Sequence, residues 1–121
     1  MSSKLALTIG AVAAVVFGLA LALVPDQMLG GFGLSAPKEA LVLSRDIGVT
    51  LIGLGIVNWL ARNEVGMAVR ALLIGNAFIQ IAEALVNGWE AAAGILPSQA
   101  IGGVVLHVVL AVVFLLPLRR A

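Results

Sequence analysis

The chain has 121 residues, of which 62% are hydrophobic and only 11% charged, with a net charge of +1 and no cysteine. A soluble domain is roughly 45–50% apolar and about 25% charged, and a chain this short could not hide such an excess from water. The scattered basic residues exclude a nucleic-acid binder, and the absent thiols exclude disulfides, iron–sulfur clusters, thiolate metal sites and thiol catalysis.

We therefore read residues 1–121 as one domain of all-α class, an integral membrane four-helix bundle with lipid as its solvent. The first span covers 5–24, interrupted only by Thr8. About twenty residues at a rise of 1.5 Å match a hydrocarbon core of about 30 Å. Pro25-Asp26 ends it. Met1 to Lys4, with Ala20-Leu21-Ala22, has some features of a cleaved leader. The apolar run is long for one, and we read a retained span.

The second span covers 40–61, with Ser35 as its expected cap and Pro37 in its first turn. Between the first two spans, Gly30-Gly31-Phe32-Gly33 reads as a flexible turn from which Met28, Leu29 and Phe32 dip into the headgroup layer. The third span covers 65–86, capped by Asn63 and stopped by Asn87-Gly88. So short a link at Arg62–Glu64 predicts that spans two and three are antiparallel neighbours. The fourth span covers 100–118, capped by Ser98 after Pro97.

Lys4, Arg62, Arg70, Arg119 and Arg120 fall on one side of this topology, against Lys38 on the other. Basic residues near span ends favour the cytoplasm, so both termini are expected inside (N-in/C-in), in the cytoplasmic or inner membrane. Trp59 and Trp89 then mark the two headgroup levels. Gly10, Ala14, Gly18 and Ala22 repeat every four residues, and Gly48 and Gly55 share a face with Gly53 beside them. Such small residues let helix backbones approach, chiefly inside the bundle, with a homo-oligomer seam as the other reading. Ala22-Leu23-Val24 returns as Ala84-Leu85-Val86, and the same offset takes Arg45 to His107, a weak echo of a duplicated two-helix unit.

Ionisable groups inside a span are costly, about 2.5–3.5 kcal/mol for a central Arg, Lys or Asp. Here they are Arg45, Asp46, Glu83 and His107. Asn76, Gln80 and Glu83 stand at i, i+4 and i+7, so they form one stripe on the third span that is expected to face the bundle. An Arg45–Glu83 ion pair is the expected partnership, with amide bonds holding spans two, three and four in register; Arg45 is also near enough to the outer boundary to snorkel. The functional reading of the same six residues is a polar cavity for a headgroup, a quinone-like ring, a proton or an ion. Asp46 and Glu83 outnumber Arg45 by one, so neutrality needs one further proton, which the cluster is expected to exchange. One histidine and scattered carboxylates give no metal-ligand spacing, and no serine has a base or an oxyanion motif. No enzyme, metal or cofactor is expected.

Arg45-Asp46-Ile47-Gly48, Leu54-Gly55, Asn58-Trp59-Leu60-Ala61-Arg62, Arg70-Ala71-Leu72-Leu73-Ile74-Gly75-Asn76 and His107 resemble a pattern in small bacterial four-helix membrane proteins of the DoxX-like group. The resemblance spans the larger part of the chain. It implies a four-helix bundle and an accessory role beside a larger membrane complex, since related proteins include subunits of quinone-linked oxidoreductases. The expected function is thus a non-catalytic accessory or structural subunit. The alternative is a binding or transport protein using Arg45, Glu83 and His107.

Overall fold

The computed structural model describes residues 1–120. They are helical almost throughout: α1 (Ser3–Leu23), α2 (Pro25–Gly31), α3 (Lys38–Ala61), α4 (Met67–Ala92) and α5 (Ile101–Leu115), the last flanked by 3-10 turns at Ser98–Ala100 and Leu116–Arg119. Four segments are long and apolar enough to cross a membrane: Ser3–Leu23, Lys38–Ala61, Met67–Ala92 and Ser98–Arg119. Less than a third of each is buried by the rest of the protein, from 17% for α3 to 28% for α1. The remaining apolar surface needs lipid to cover it. The fold defines a multi-pass membrane protein.

The ends of the helices differ in detail from the sequence expectation. Ser2 caps α1, its hydroxyl oxygen accepting from the Leu5 N–H at 3.1 Å. Neither Ser35 nor Asn63 is a cap: Pro37 precedes α3 and Gly66 precedes α4, both without a side-chain bond. Asn87-Gly88 does not stop α4, which continues one more turn to Ala92. Asn87 instead donates to the Glu83 carboxylate one turn back at 3.2 Å, so its amide has no need of a turn. The stop is Gly94, at φ +77°, where the Ile95 N–H reaches back to the Glu90 carbonyl at 2.8 Å. A left-handed residue of this kind closes many helices, and glycine adopts it without strain.

The same closure follows α2. Gly33 has φ +73°, and the Leu34 N–H bonds the Leu29 carbonyl at 3.0 Å. Each half of the chain thus runs from a span through one further helical turn or two to a glycine closure, then Pro37 or Pro97, then a second span. Pro25, at the start of α2, separates it from α1; no proline interrupts α4.

Packing follows these halves. α3 lies antiparallel along α1, and α5 lies antiparallel along α4. The α1–α3 seam is set by glycines. A Cβ on Gly48 would stand 2.6 Å from the Gly18 carbonyl oxygen, and one on Gly55 would stand 3.0 Å from the Ala11 carbonyl oxygen. Where lipid supplies no hydrophobic push, such close approach is what holds helices together. Gly53 faces away from this seam with open space around it.

The two halves meet mainly where α1 contacts α5 and α4. α3 and α4 are hardly in contact despite their short link, so the expected side-by-side pair is not formed. The filled core lies toward the end that carries Lys4, Arg62 and Arg119, called here the basic end. It contains Leu7, Val69, Leu73, Ala77, Leu110 and Phe114. At that end the Arg62 guanidinium stacks 3.7 Å over the Trp59 ring and donates to the Trp59 carbonyl.

Candidate functional site: an intramembrane cavity

Above the filled core, a cavity of about 280 Å³ opens between the helices. Its floor is Phe114 and Leu110 of α5 with Gly10 of α1. A Cβ on Gly10 would overlap the Phe114 ring, so glycine is what admits the ring there. Ala13, Ala14, Phe17 and Leu21 of α1 form one wall, and Ile47, Leu51 and Leu54 of α3 another. Met28 and Phe32, expected to dip into headgroups, turn inward and close the end opposite the basic one.

The polar wall is α4. Asn76, Gln80 and Glu83 all line the cavity, as their spacing along one face requires. His107 of α5 faces them, its Nδ1 2.7 Å from Gln80 Oε1. With Gln80 Oε1 as acceptor, Nδ1 is the donor, and in the neutral ring that tautomer leaves a lone pair on Nε2. A smaller cavity of about 150 Å³, bounded by Leu34, Asn87, Leu96 and Val104, shares His107 and Phe32 with the larger one.

The six candidate residues divide. Asn76, Gln80, Glu83 and His107 come together around the cavity, whereas Arg45 and Asp46 do not line it. Arg45 and Asp46 are exposed on α3, and the expected Arg45–Glu83 ion pair is not formed among the described residues. The reason is the rotation of α3. Its buried positions Ser44, Gly48, Gly55 and Asn58, with Leu51 between them, are alternately four and three residues apart. That seam turns Arg45 and Asp46 toward lipid, where Arg45 can extend along the helix to the headgroup level. Thr50, also exposed, satisfies itself by donating to the Asp46 carbonyl at 2.9 Å.

The partner that α4 does find on α3 is Asn58. Asn58 and Asn76 exchange two amide hydrogen bonds of 2.9 Å each, and both are buried. Asn76 also donates to the Leu72 carbonyl at 2.8 Å. This pair is the direct polar link across the otherwise open α3–α4 side. Sequence reasoning placed Asn76 in its stripe but left Asn58 without a partner. The four-and-three spacing that puts Asn58 in line with Gly48 and Gly55 carried the missing signal.

Chemically, the arrangement is an apolar chamber with one hydrogen-bonding wall. No group of three or more His, Cys, Asp or Glu stands close enough to hold a metal among the described residues. Both amide protons of Asn76 are engaged, and no buried side-chain nitrogen or oxygen lacks a partner among the described residues. Gln80, Glu83 and His107 retain bonding capacity directed at the cavity. Comparison with protein-family models, with curated proteins and with solved structures finds no match.

Proposed function

We propose that this chain is a small multi-pass protein of the cytoplasmic membrane that binds a small amphipathic molecule in the cavity between α1, α3, α4 and α5. The observation that carries the reading is the cavity itself, about 280 Å³ and apolar on every wall but the Gln80–Glu83–His107 one. Ligand sites typically combine such apolar linings with a few convergent polar groups, at volumes of about 300–1,000 Å³. This cavity lies just below that range, so its occupant is small. Orientation with both termini inside is supported by the bias of Lys4, Arg62, Arg70, Arg119 and Arg120 to one end. The resemblance of Arg45-Asp46-Ile47-Gly48 and its companion segments to DoxX-like bacterial proteins supports the same membrane.

Because α3 and α4 diverge above Asn58–Asn76, the cavity has a side that faces the bilayer. A ligand dissolved in lipid enters there without crossing water. The test is titration of the protein in neutral detergent with 3-phenylpropanol, followed by the imidazole NMR signals of His107. Saturable shifts that vanish in Ala14→Phe, which fills the cavity, are expected. Shifts that rise without saturation and equally in Ala14→Phe would mean only partition into detergent, and the reading would fall.

The second reading is an accessory subunit that docks beside a larger membrane complex. It is favoured by Gly53 on α3 and Gly75 on α4, which face outward with open space about them. Gly53→Leu and Gly75→Leu should then abolish co-isolation with a partner in mild detergent. A chain that always isolates alone contradicts it.

A further inference from the structure

The charge inside the cavity is one-sided. Among the described residues that line it, Glu83 alone bears a formal charge, and no lysine or arginine reaches it. Its only hydrogen bond among the described residues is the Asn87 amide at 3.2 Å. α4 runs from Met67 to Ala92, so Glu83 lies about 5 Å past the helix midpoint, well within a hydrocarbon half-thickness of about 15 Å. It is exposed rather than enclosed by protein. A carboxylate at that depth without a counter-charge is costly, and such groups ordinarily pair.

The hydrogen-bonding inventory points the same way. Asn76 has both amide protons engaged, one with Asn58 and one with the Leu72 carbonyl. Gln80 turns its carbonyl oxygen to the imidazole, and His107 donates through Nδ1. What the wall offers an occupant is then the Glu83 carboxylate and, in that tautomer, the His107 Nε2 lone pair as acceptors, beside the Gln80 amide N–H groups as donors; of these only the carboxylate carries charge. Opposite this wall lie Phe17, Leu51 and Leu54, which suit an apolar body.

We infer that the cavity selects a lipophilic cation: a small apolar body carrying an ammonium or amidinium head whose N–H groups bond Glu83 and His107. This rests on the cavity being a ligand site and adds the class of ligand. The cation neutralises Glu83, and its apolar part replaces lipid between α3 and α4. Charge-assisted hydrogen bonds contribute about 1.5–3 kcal/mol, which corresponds to roughly 10- to 150-fold in affinity.

The experiment compares three probes of nearly equal shape in a neutral maltoside detergent at pH 7. They are 3-phenylpropylammonium, neutral 3-phenylpropanol and anionic 3-phenylpropanoate. The ammonium should bind about tenfold or more tighter than the alcohol, and the anion should not bind saturably. Glu83→Gln, which keeps the shape of the side chain, should erase that preference, the ammonium-to-alcohol affinity ratio falling to about one, while an unfolding midpoint in the same detergent that is not lowered reports that the variant is folded. If the alcohol binds as tightly as the ammonium, or if Glu83→Gln retains the preference, the cation assignment is overturned and the cavity remains a site for neutral ligands. If none of the three saturates, the ligand site and the cation fall together.

Discussion

Toward the basic end the helices close on a filled core, whereas toward the other end the same helices stand around a chamber. The polar groups differ in step with this. Asn58 and Asn76 are buried and bond each other twice, with a further Asn76 bond to the Leu72 carbonyl. One to two turns farther along α4, Gln80 and Glu83 face open volume with His107 across from them. A single stripe on one helix therefore serves two ends, with its lower member as a clasp and its upper members as a binding wall. Burial and reciprocal bonding, and not polarity, separate them.

That contrast can be broken from the structural side first. Gly48→Val should have the largest effect, because the new Cβ meets the Gly18 carbonyl oxygen and the Ala22 amide, backbone atoms on a helix that cannot step aside. A loss of about 3 kcal/mol is expected, at the upper end of overpacking penalties, read as a lowered midpoint in thermal or denaturant unfolding in detergent. Gly53→Val, five residues on but facing outward, should leave the midpoint unchanged in the same assay.

Next comes the clasp. Asn58→Leu leaves the Asn76 amide short of a buried partner and should cost about 1–3 kcal/mol. Adding Asn76→Leu should restore part of that loss, because no orphaned amide then remains. The coupling in this double-mutant cycle is expected at about 1 kcal/mol. Strict additivity would mean that the reciprocal bonds are not formed in the membrane.

The smallest effect on stability belongs to the binding wall. Glu83→Gln removes an uncompensated charge whose only hydrogen bond among the described residues is to the Asn87 amide, and should leave the unfolding midpoint unchanged or raise it. A loss as large as that of Asn58→Leu would make Glu83 a structural group and erase the distinction between the two ends.

The Arg45–Glu83 expectation shows where local pattern runs short. Both residues are rare ions at similar depth in their spans, and depth alone makes them natural partners. Facing decides otherwise, since α3 turns its Gly48–Gly55 seam to α1 and carries Arg45 outward with it. The Gly30–Gly33 segment is a second case. Composition suggests a loose turn, yet its first half, Gly30-Gly31, ends α2, and the segment brings Met28 and Phe32 over the cavity.

The sequence by itself determined the solvent, the four spans and the polar face of α4. These rest on the length of apolar runs and on the three-and-four spacing within one helix, both of which are local. Only the tertiary structure decided that Asn58 partners Asn76, that Arg45 faces outward and that α3 and α4 stand apart to leave a chamber. In lipid the apolar side chains cover both the inner and the outer faces of a helix. Hydrophobic periodicity, which tells a soluble helix which way to face, is therefore silent here, and the rotation of each helix is left to the fit of its glycines against a neighbour.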